Sequence, residues 1–496
     1  MAKRQGILAV DQGTTSSRAI VFALDGSEVS RAREPFFQHY PQSGWVEHDA
    51  RALLPTTVDV CNSALADAEA VGTEVIALGL TNQRETTVVW DRATGEPIHH
   101  AIVWQDRRTA ETCAGLRAAG HGAAVTARTG LLLDPYFSAT KIAWLLDHVP
   151  GARERAEAGA LAFGTVDSWL IWCLTDGAVH ATDATNAART LLFDIHAQDW
   201  SDELLALFGV PRAMLPEVCD SADDFGSVAP GRLERSLPIR GVAGDQHAAM
   251  VGQGCFEAGT IKSTYGTGCF ALLHTGEEPT ASDHGLLTTM AYRLEGRPAY
   301  ALEGAIFSAG STVQWLRDGL GIIEEAAETE ELAGSIESTG GVHLVPAFTG
   351  MGAPWWDPHA RGALLGLTRA TGPAELARAA LESVCFQTHD LARAMAGDAG
   401  REPCELRVDG GMVVNDWFLQ RLADLVGIEV LRPAVVETTA LGAAYLAGLG
   451  HGIWRSPAEV VAYWQLDTRF SPGLGADERA PLIAGWHDAV GRIVTQ

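Results

Sequence analysis

The chain has 496 residues, 47% apolar and 20% charged, which fits about two to four folded domains and excludes wholesale disorder. Sixty-two acidic against 36 basic residues leave a net charge of −26, which repels nucleic-acid phosphates and anionic membrane surfaces. Eight scattered cysteines with no C-x-x-C pair exclude a zinc ribbon or disulfide framework, and no stretch approaches the roughly 18 apolar residues of a membrane span. The N-terminus carries Lys3 and Arg4 but only Ile7 to Val10 as an apolar run, too short for a secretory leader, so the expected location is cytoplasmic.

Along the chain, Ile7 to Val10 reads as a buried strand entering the polar turn Asp11-Gln12-Gly13-Thr14-Thr15-Ser16-Ser17, and Arg18 to Phe22 as its returning partner. Glu74 to Leu80 reads as a buried strand running into Thr81-Asn82-Gln83-Arg84-Glu85. Thr140 to His148 has helical spacing, with Ile142, Leu145 and Leu146 on one side. Gly241-Val242-Ala243-Gly244 is a strand that ends on Asp245-Gln246. Thr260 to Thr264 then enters Tyr265-Gly266-Thr267-Gly268 and returns as Cys269 to Leu273, a second strand, glycine-threonine turn and strand. Leu406-Arg407-Val408-Asp409-Gly410-Gly411 echoes the strand that ends on Asp245. Asp416 to Val426 is an amphipathic helix stopped by Gly427, Ile428 to Leu431 a strand ended by Pro433, and Thr439 to Leu449 a small-residue helix suited to close packing on a sheet. The two echoes predict duplicated halves, 1–252 and 253–496, with mixed sheets flanked by helices and a ligand cleft between them.

The chemistry concentrates at the strand ends. Around Gly13 and around Gly266 and Gly268 the backbone can approach an anion closely, and consecutive N–H groups there form an anion-binding nest. Thr14, Thr15 and Ser16 add hydroxyl donors, Arg18 adds a fixed positive charge, and Asp11 is a candidate metal ligand. Neither turn is a P-loop or a dinucleotide-binding turn. Arg84 supplies donors and Glu85 acceptors, a pair able to grip vicinal hydroxyls; the alternative is an ordinary salt bridge. Trp104, Tyr136 and Phe270 are candidate apolar walls or plain core residues. Asp245 is a candidate general base or a helix cap, with Gln246 beside it for a further hydroxyl. His99-His100 reads as a surface turn rather than a metal site, and Trp355-Trp356 as a packing anchor rather than a sugar platform.

Two phosphate-type hairpins in duplicated halves, with Asp409-Gly410-Gly411, resemble the actin-like, ribonuclease H-like ATPase superfamily, and within it the FGGY carbohydrate kinases. Tyr136 to His148 is similar to that family's first pattern, and Gly362 to Leu367 with Glu375 to Glu382 to its second. Gly44 to Asp49, Thr81 to Thr87, Trp104-Gln105, Asp134 to Phe137, Gly244 to Gln246, Thr264 to Phe270 and Pro354 to Pro358 narrow the likeness to members that phosphorylate glycerol.

The resemblance implies an ATP-dependent phosphoryl transfer to glycerol with Asp245 as general base. Arg84, Glu85, Trp104, Tyr136, Gln246 and Phe270 would hold the substrate. Thr14, Thr15, Ser16, Thr267 and Gly268 would contact phosphates, and Arg18 the transferred group. Asp11 would act on Mg²⁺ through water. Gly310, Gln314, Gly411 and Asn415 would line the adenosine end, with Asp409 beside the nucleotide as the second-half counterpart of Asp245. A homo-oligomer, dimer or tetramer, is also implied. Departures are His247, where a glutamine is common, and Met412 and Asp416 near the adenine end. A kinase for another polyol or ketose, and a non-enzymatic actin-like ATP switch, remain the alternatives.

Overall fold

A computed structural model describes residues 4–495. Met1, Ala2, Lys3 and Gln496 lie outside the described residues, so of the two basic N-terminal residues only Arg4 is placed.

The strands Arg4–Gln12 and Ser16–Ala23 form an antiparallel hairpin in which Asp11 stands opposite Arg18 and Gln12 opposite Ser17. The Gly13 amide donates to the Ser16 carbonyl at 3.0 Å and closes the tip. Glu28–Pro35 extends the hairpin antiparallel, while Thr73–Asn82 and then Ile239–Gly244 add on the other side in parallel, giving a five-stranded mixed sheet. The helix Ala50–Ala70, capped by Asp49, buries Leu53, Val60, Ala64 and Leu65 on one face of it.

The second half repeats the plan. Thr260–Tyr265 and Cys269–Gly276 pair antiparallel, Arg297–Ile306 adds antiparallel beyond them, and Glu405–Asp409 and Glu429–Pro433 add in parallel on the other side. Leu287–Leu294 and Leu466–Phe470 extend the edges to seven strands. The helix Pro373–Ala399 covers this sheet with Leu381, Val384, Phe386 and Leu391. The expected helices at 140–148, 416–426 and 439–449 are found as Ser138–His148, Asp416–Val426 and Thr438–Gly450.

Sheet order corrects one equivalence. Asp409 ends the inner parallel strand of its sheet, the place held in the first half by Thr73–Asn82, whereas Asp245 follows the outer one. The counterpart of Asp409 is therefore at the end of Thr73–Asn82, not at Asp245. An apolar run ending in an acid and glycine is common to any buried parallel strand that reaches a polar tip, so that likeness carries no register.

The halves meet where the small-residue helix Thr438–Gly450 lies on the N-terminal sheet, with Ala440, Ala443 and Ala447 packed among Ile7, Ala9 and Ala243. The helix Asp245–Gly252 crosses it, and a Cβ on Gly442 would stand 1.7 Å from the Ala248 carbonyl oxygen. Only glycine permits that crossing. It sets Asp245, the first residue of one seam helix, at the mouth of the cleft.

Candidate active site

Arg84 and Glu85 leave the end of Thr73–Asn82, next to the strand end that carries Asp245. Consecutive residues of a strand point to opposite faces. Here Glu85 adopts φ +61°, a left-handed conformation uncommon outside glycine. Its carbonyl accepts from the Ser138 hydroxyl at 3.0 Å and from the Lys141 ammonium at 3.3 Å. Lys141 also donates to the Tyr136 carbonyl at 2.7 Å, so one buried amine holds both the strained turn and an aromatic wall. Burial lowers the Lys141 pKa to about 7.

Arg84 and Glu85 do not chiefly pair with each other, as adjacency in sequence suggested. Arg84 Nε stands 3.9 Å from Glu85 but 3.1 Å from Asp245 Oδ1, and the two Arg84 Nη atoms reach Glu303 at 2.5 and 3.3 Å. Glu85 instead accepts from Arg189 Nε at 2.6 Å, and Arg189 Nη2 reaches Glu303 at 2.9 Å. The Arg189 guanidinium lies 5.6 Å from the Tyr136 ring centre and 5.2 Å from that of Phe137. Two guanidiniums and three carboxylates thus form one cluster, of which only Asp245 is substantially open, with 32% of its side chain exposed.

The cluster sorts its acids. Burial pushes Glu303 up, but Arg189 and Arg84 outweigh it and hold its carboxyl at about 2. For Glu85 burial outweighs Arg189 and Arg84 and raises the pKa. Asp245 is raised as well, by burial, with Arg84 pulling the other way. The acid at the cleft mouth is thus more basic than an ordinary aspartate.

A wholly buried segment anchors both strand ends. Asp183 accepts from the Thr185 and Asn186 amides and from the Thr185 and Ser221 hydroxyls. Thr185 Oγ1 in turn accepts from the amide of Gly244, next to Asp245, at 3.0 Å. Asn186 exchanges two side-chain hydrogen bonds, 3.0 and 3.1 Å, with Asn82 ahead of Arg84. Arg189 belongs to the same segment.

Trp104 stands at an edge-on angle to Tyr136, ring centres 5.6 Å apart, and donates from Nε1 to the Thr14 hydroxyl at 3.0 Å. The apolar wall is thereby tied to the first hairpin tip. Phe270 shares a sheet face with Lys262 and Glu303, because Leu272 pairs with both of those and lies two residues from Phe270. Lys262, fully buried, donates to Gln246 Oε1 at 2.6 Å and links the halves again. His247 is buried, its Nδ1 without a partner, and burial lowers its pKa well below the usual histidine value.

At the other end of the cleft the hairpin tips are open. Thr15, Gly266 and Thr267 are exposed, and the Ser311 and Ala309 amides each bond the Thr267 carbonyl at 3.0 Å. Gly310 N donates to Gly266 O at 2.9 Å, which seats the start of the helix Gly310–Gln314 on the second tip. Ser16 is buried and accepts from Arg33 Nε at 3.0 Å. Arg18 bonds Asp11 across the hairpin and reaches Glu437 of the second half at 3.0 Å. Burial raises the Asp11 pKa against the pull of Arg18. Asp409 accepts from Gln253 at 2.9 Å and Thr438 at 2.7 Å beneath the tips. Gly410 has φ +96°, while a Cβ on exposed Gly411 would meet nothing within 4 Å. Gln314 is exposed, and Met412 lies 3.8 Å from a Cβ built on Gly310.

Asn415 departs from a free lining role. It caps the helix Asp416–Val426, accepting from the Phe418 amide at 2.7 Å, and its Nδ2 approaches Thr329 at 3.4 Å. Asp416 pairs with Arg432 at 2.7 Å. His99 and His100 sit in a turn as expected, yet both reach Glu47, at 3.9 and 3.2 Å, rather than opposite faces of a strand. Trp356 packs near Phe307 and Trp355 near His487, inside the second half.

Sequence reasoning missed Arg189, Glu303, Lys262 and Lys141. For Glu303 a signal existed, a lone charge inside the apolar stretch Tyr300-Ala301-Leu302-Glu303-Gly304-Ala305-Ile306. Among the described residues no cluster of three metal-ligating side chains occurs, and no helix is long and apolar enough to cross a membrane.

Comparison with known proteins agrees along the chain. The model for the FGGY family of carbohydrate kinases, N-terminal domain, matches residues 6–252, and its C-terminal counterpart matches 261–451. A glycerol kinase of Rhodospirillum centenum is 62% identical over 492 residues, 99% of each chain. One from Alcanivorax borkumensis is 60% identical over 487 residues, 98% of each. Among solved structures, Plasmodium falciparum glycerol kinase with ADP superposes with a TM-score of 0.95 at 34% identity over 99% of both chains. A ligand-bound xylulose kinase from Lactobacillus acidophilus, 19% identical over 98% of both chains, shares the fold with a TM-score of 0.88.

Proposed function

The chain belongs to the FGGY family of carbohydrate kinases, and from that premise we propose that it phosphorylates glycerol with ATP, releasing sn-glycerol 3-phosphate and ADP. The observation that carries this reading is the Arg84–Glu85–Asp245 arrangement at adjoining strand ends, in a chain about 60% identical to glycerol kinases over its length.

Glycerol presents three hydroxyls, each both donor and acceptor. Arg84 donates and Glu85 accepts at two of them, with Gln246 close by, while Trp104, Tyr136 and Phe270 cover the C–H faces. The third, a primary hydroxyl, lies against Asp245. An alcohol is a poor nucleophile until its proton has an acceptor, and the raised basicity of Asp245 supplies one. With every group ionised, the two guanidiniums face three carboxylates, an excess of one negative charge. Protonating Asp245 as the O–P bond forms brings the cluster to two against two. Proton transfer to Asp245 therefore lowers the negative excess among these five groups.

At the opposite end, the amides and hydroxyls of Thr14, Thr15, Ser16, Thr267 and Gly268 hold the phosphates, and Gly310, Gln314 and Gly411 border the adenosine. Arg18, held between two carboxylates, is free to exchange them for the more highly charged γ-phosphate, where it steadies the charge of transfer. Asp11 gives a protein carboxylate for Mg²⁺, an ion held mainly by waters and phosphate oxygens. When bound, that ion neutralises charge on the β- and γ-oxygens.

The test is ADP formation from ATP and Mg²⁺ with glycerol, without it, and with a panel of tetritols, pentitols and xylulose. Glycerol-dependent turnover is expected, with longer polyols poorer by kcat/KM. Slow ATP hydrolysis indifferent to glycerol would replace the kinase with a switch, and better turnover of xylulose would change the substrate.

A further inference from the structure

Glu303 stands on a strand of the C-terminal half, yet its carboxylate serves the polyol end of the cleft. Both Arg84 Nη atoms and Arg189 Nη2 find their carboxylate there, whereas the acids of the N-terminal half, Asp245 and Glu85, take only the Nε positions. Arg189 Nη1 has no protein partner although the residue is fully buried. Removing Glu303 would leave two desolvated guanidiniums side by side, held only at their Nε positions by Asp245 and Glu85, with their Nη atoms unpaired.

The same strand serves the phosphate end. Three residues on, about 10 Å at the rise of an extended chain, the Ile306 carbonyl backs Gly268, where a Cβ would meet it at 2.7 Å. The chain then passes directly into Gly310 against the second hairpin tip. One rigid strand thus carries a ligand-organising group at each end.

We propose that Glu303 is a positioning residue that couples the two ends of the cleft. The polyol pocket is complete only while the half that bears the second phosphate hairpin is closed on it, so nucleotide and glycerol tighten each other's binding. This inference rests on the reading of the chain as a glycerol-phosphorylating enzyme. Because coupling is reciprocal, either ligand can report it.

The experiment is calorimetric titration of the full chain with glycerol, in the presence and absence of ADP with Mg²⁺, for the wild type, Glu303→Gln and the double variant Glu303→Gln with Arg189→Met. In the wild type ADP is expected to tighten glycerol about fivefold or more, within the usual range of coupling between sites. Glu303→Gln should weaken glycerol at least about tenfold and reduce the mutual tightening to under about twofold. The double variant removes one buried charge of each sign. Glu85 also loses its Arg189 partner there, so folding of the double variant is checked by its melting curve; once folded it should still lack the coupling, and it keeps the test open should the single variant fold poorly.

Coupling retained in Glu303→Gln, or restored in the double variant, would reduce Glu303 to charge balance and overturn the proposal. Wild type with glycerol-dependent ADP formation but no mutual tightening would overturn it while leaving the kinase reading intact. Wild type without glycerol binding at all would instead strike that reading itself.

Discussion

The two ends of the cleft are made of opposite materials. The proposed polyol end is a set of buried side chains, Arg84, Glu85, Arg189 and Glu303, locked by ion pairs and by the Asp183–Arg189 segment behind them. The phosphate end is mostly exposed backbone, glycines and threonines on two hairpin tips, with Arg18 the only guanidinium that the sequence singles out there. The difference follows from the ligands. Neutral hydroxyls gain little from long-range charge, so donors and acceptors must already be aimed. A polyphosphate attracts N–H groups and cations from a distance, so an open nest of amides suffices.

Substitutions at each end sharpen or break that contrast. The largest effect is expected at the backbone end. In Gly410→Ala the new Cβ would stand 2.5 Å from the Tyr265 carbonyl, at a φ that side chains resist, and a loss above about 3 kcal/mol should appear as a large drop in melting temperature. At the side-chain end, Asp245→Asn should lower kcat at least about 10²-fold while ADP still binds and the fold persists, seen by steady-state kinetics and thermal melting. Because the Asp245 pKa is raised, the base form is lost as pH falls through a value above the ordinary 3.8, so wild-type kcat/KM should decline on the acid side from there. Arg84→Ala should raise the glycerol KM about 30-fold, roughly 2 kcal/mol, with the ATP KM little changed. Smallest in stability is Gly411→Ala, which meets open space: its unfolding free energy should stay within about 0.5 kcal/mol of wild type, and any change should fall on the ATP KM. Equal damage from Gly410→Ala and Gly411→Ala would break the contrast at the backbone end.

The parts legible in the sequence were those governed by local chemistry. Glycine beside threonine between two apolar runs marks a hairpin tip wherever it occurs, and both tips lie where Gly13 and Gly266 to Gly268 placed them. The spacing of Ile142, Leu145 and Leu146 located the helix Ser138–His148 to within two residues. What failed was pairing over distance. Arg84 has its nearest acid neighbour in sequence at Glu85, but its main partner lies 219 residues on at Glu303. Asp409 was matched to Asp245 by local likeness, while sheet order puts its counterpart at the end of Thr73–Asn82. Asn415 looked like a ligand contact, and the cap it provides depends on where the next helix starts. Periodicity reports which face is buried; it does not report which two strands bring their ends together.

The most direct measurement is a crystal structure of the chain with glycerol and a non-hydrolysable ATP analogue bound. One terminal hydroxyl of glycerol is expected within about 2.6–3.2 Å of the Asp245 carboxylate and in line with the γ-phosphorus, with Arg84 and Glu85 on the remaining hydroxyls. A terminal hydroxyl turned toward any other base, or an Asp245 carboxylate that stays bonded to Arg84 and away from the alcohol, would contradict the assignment.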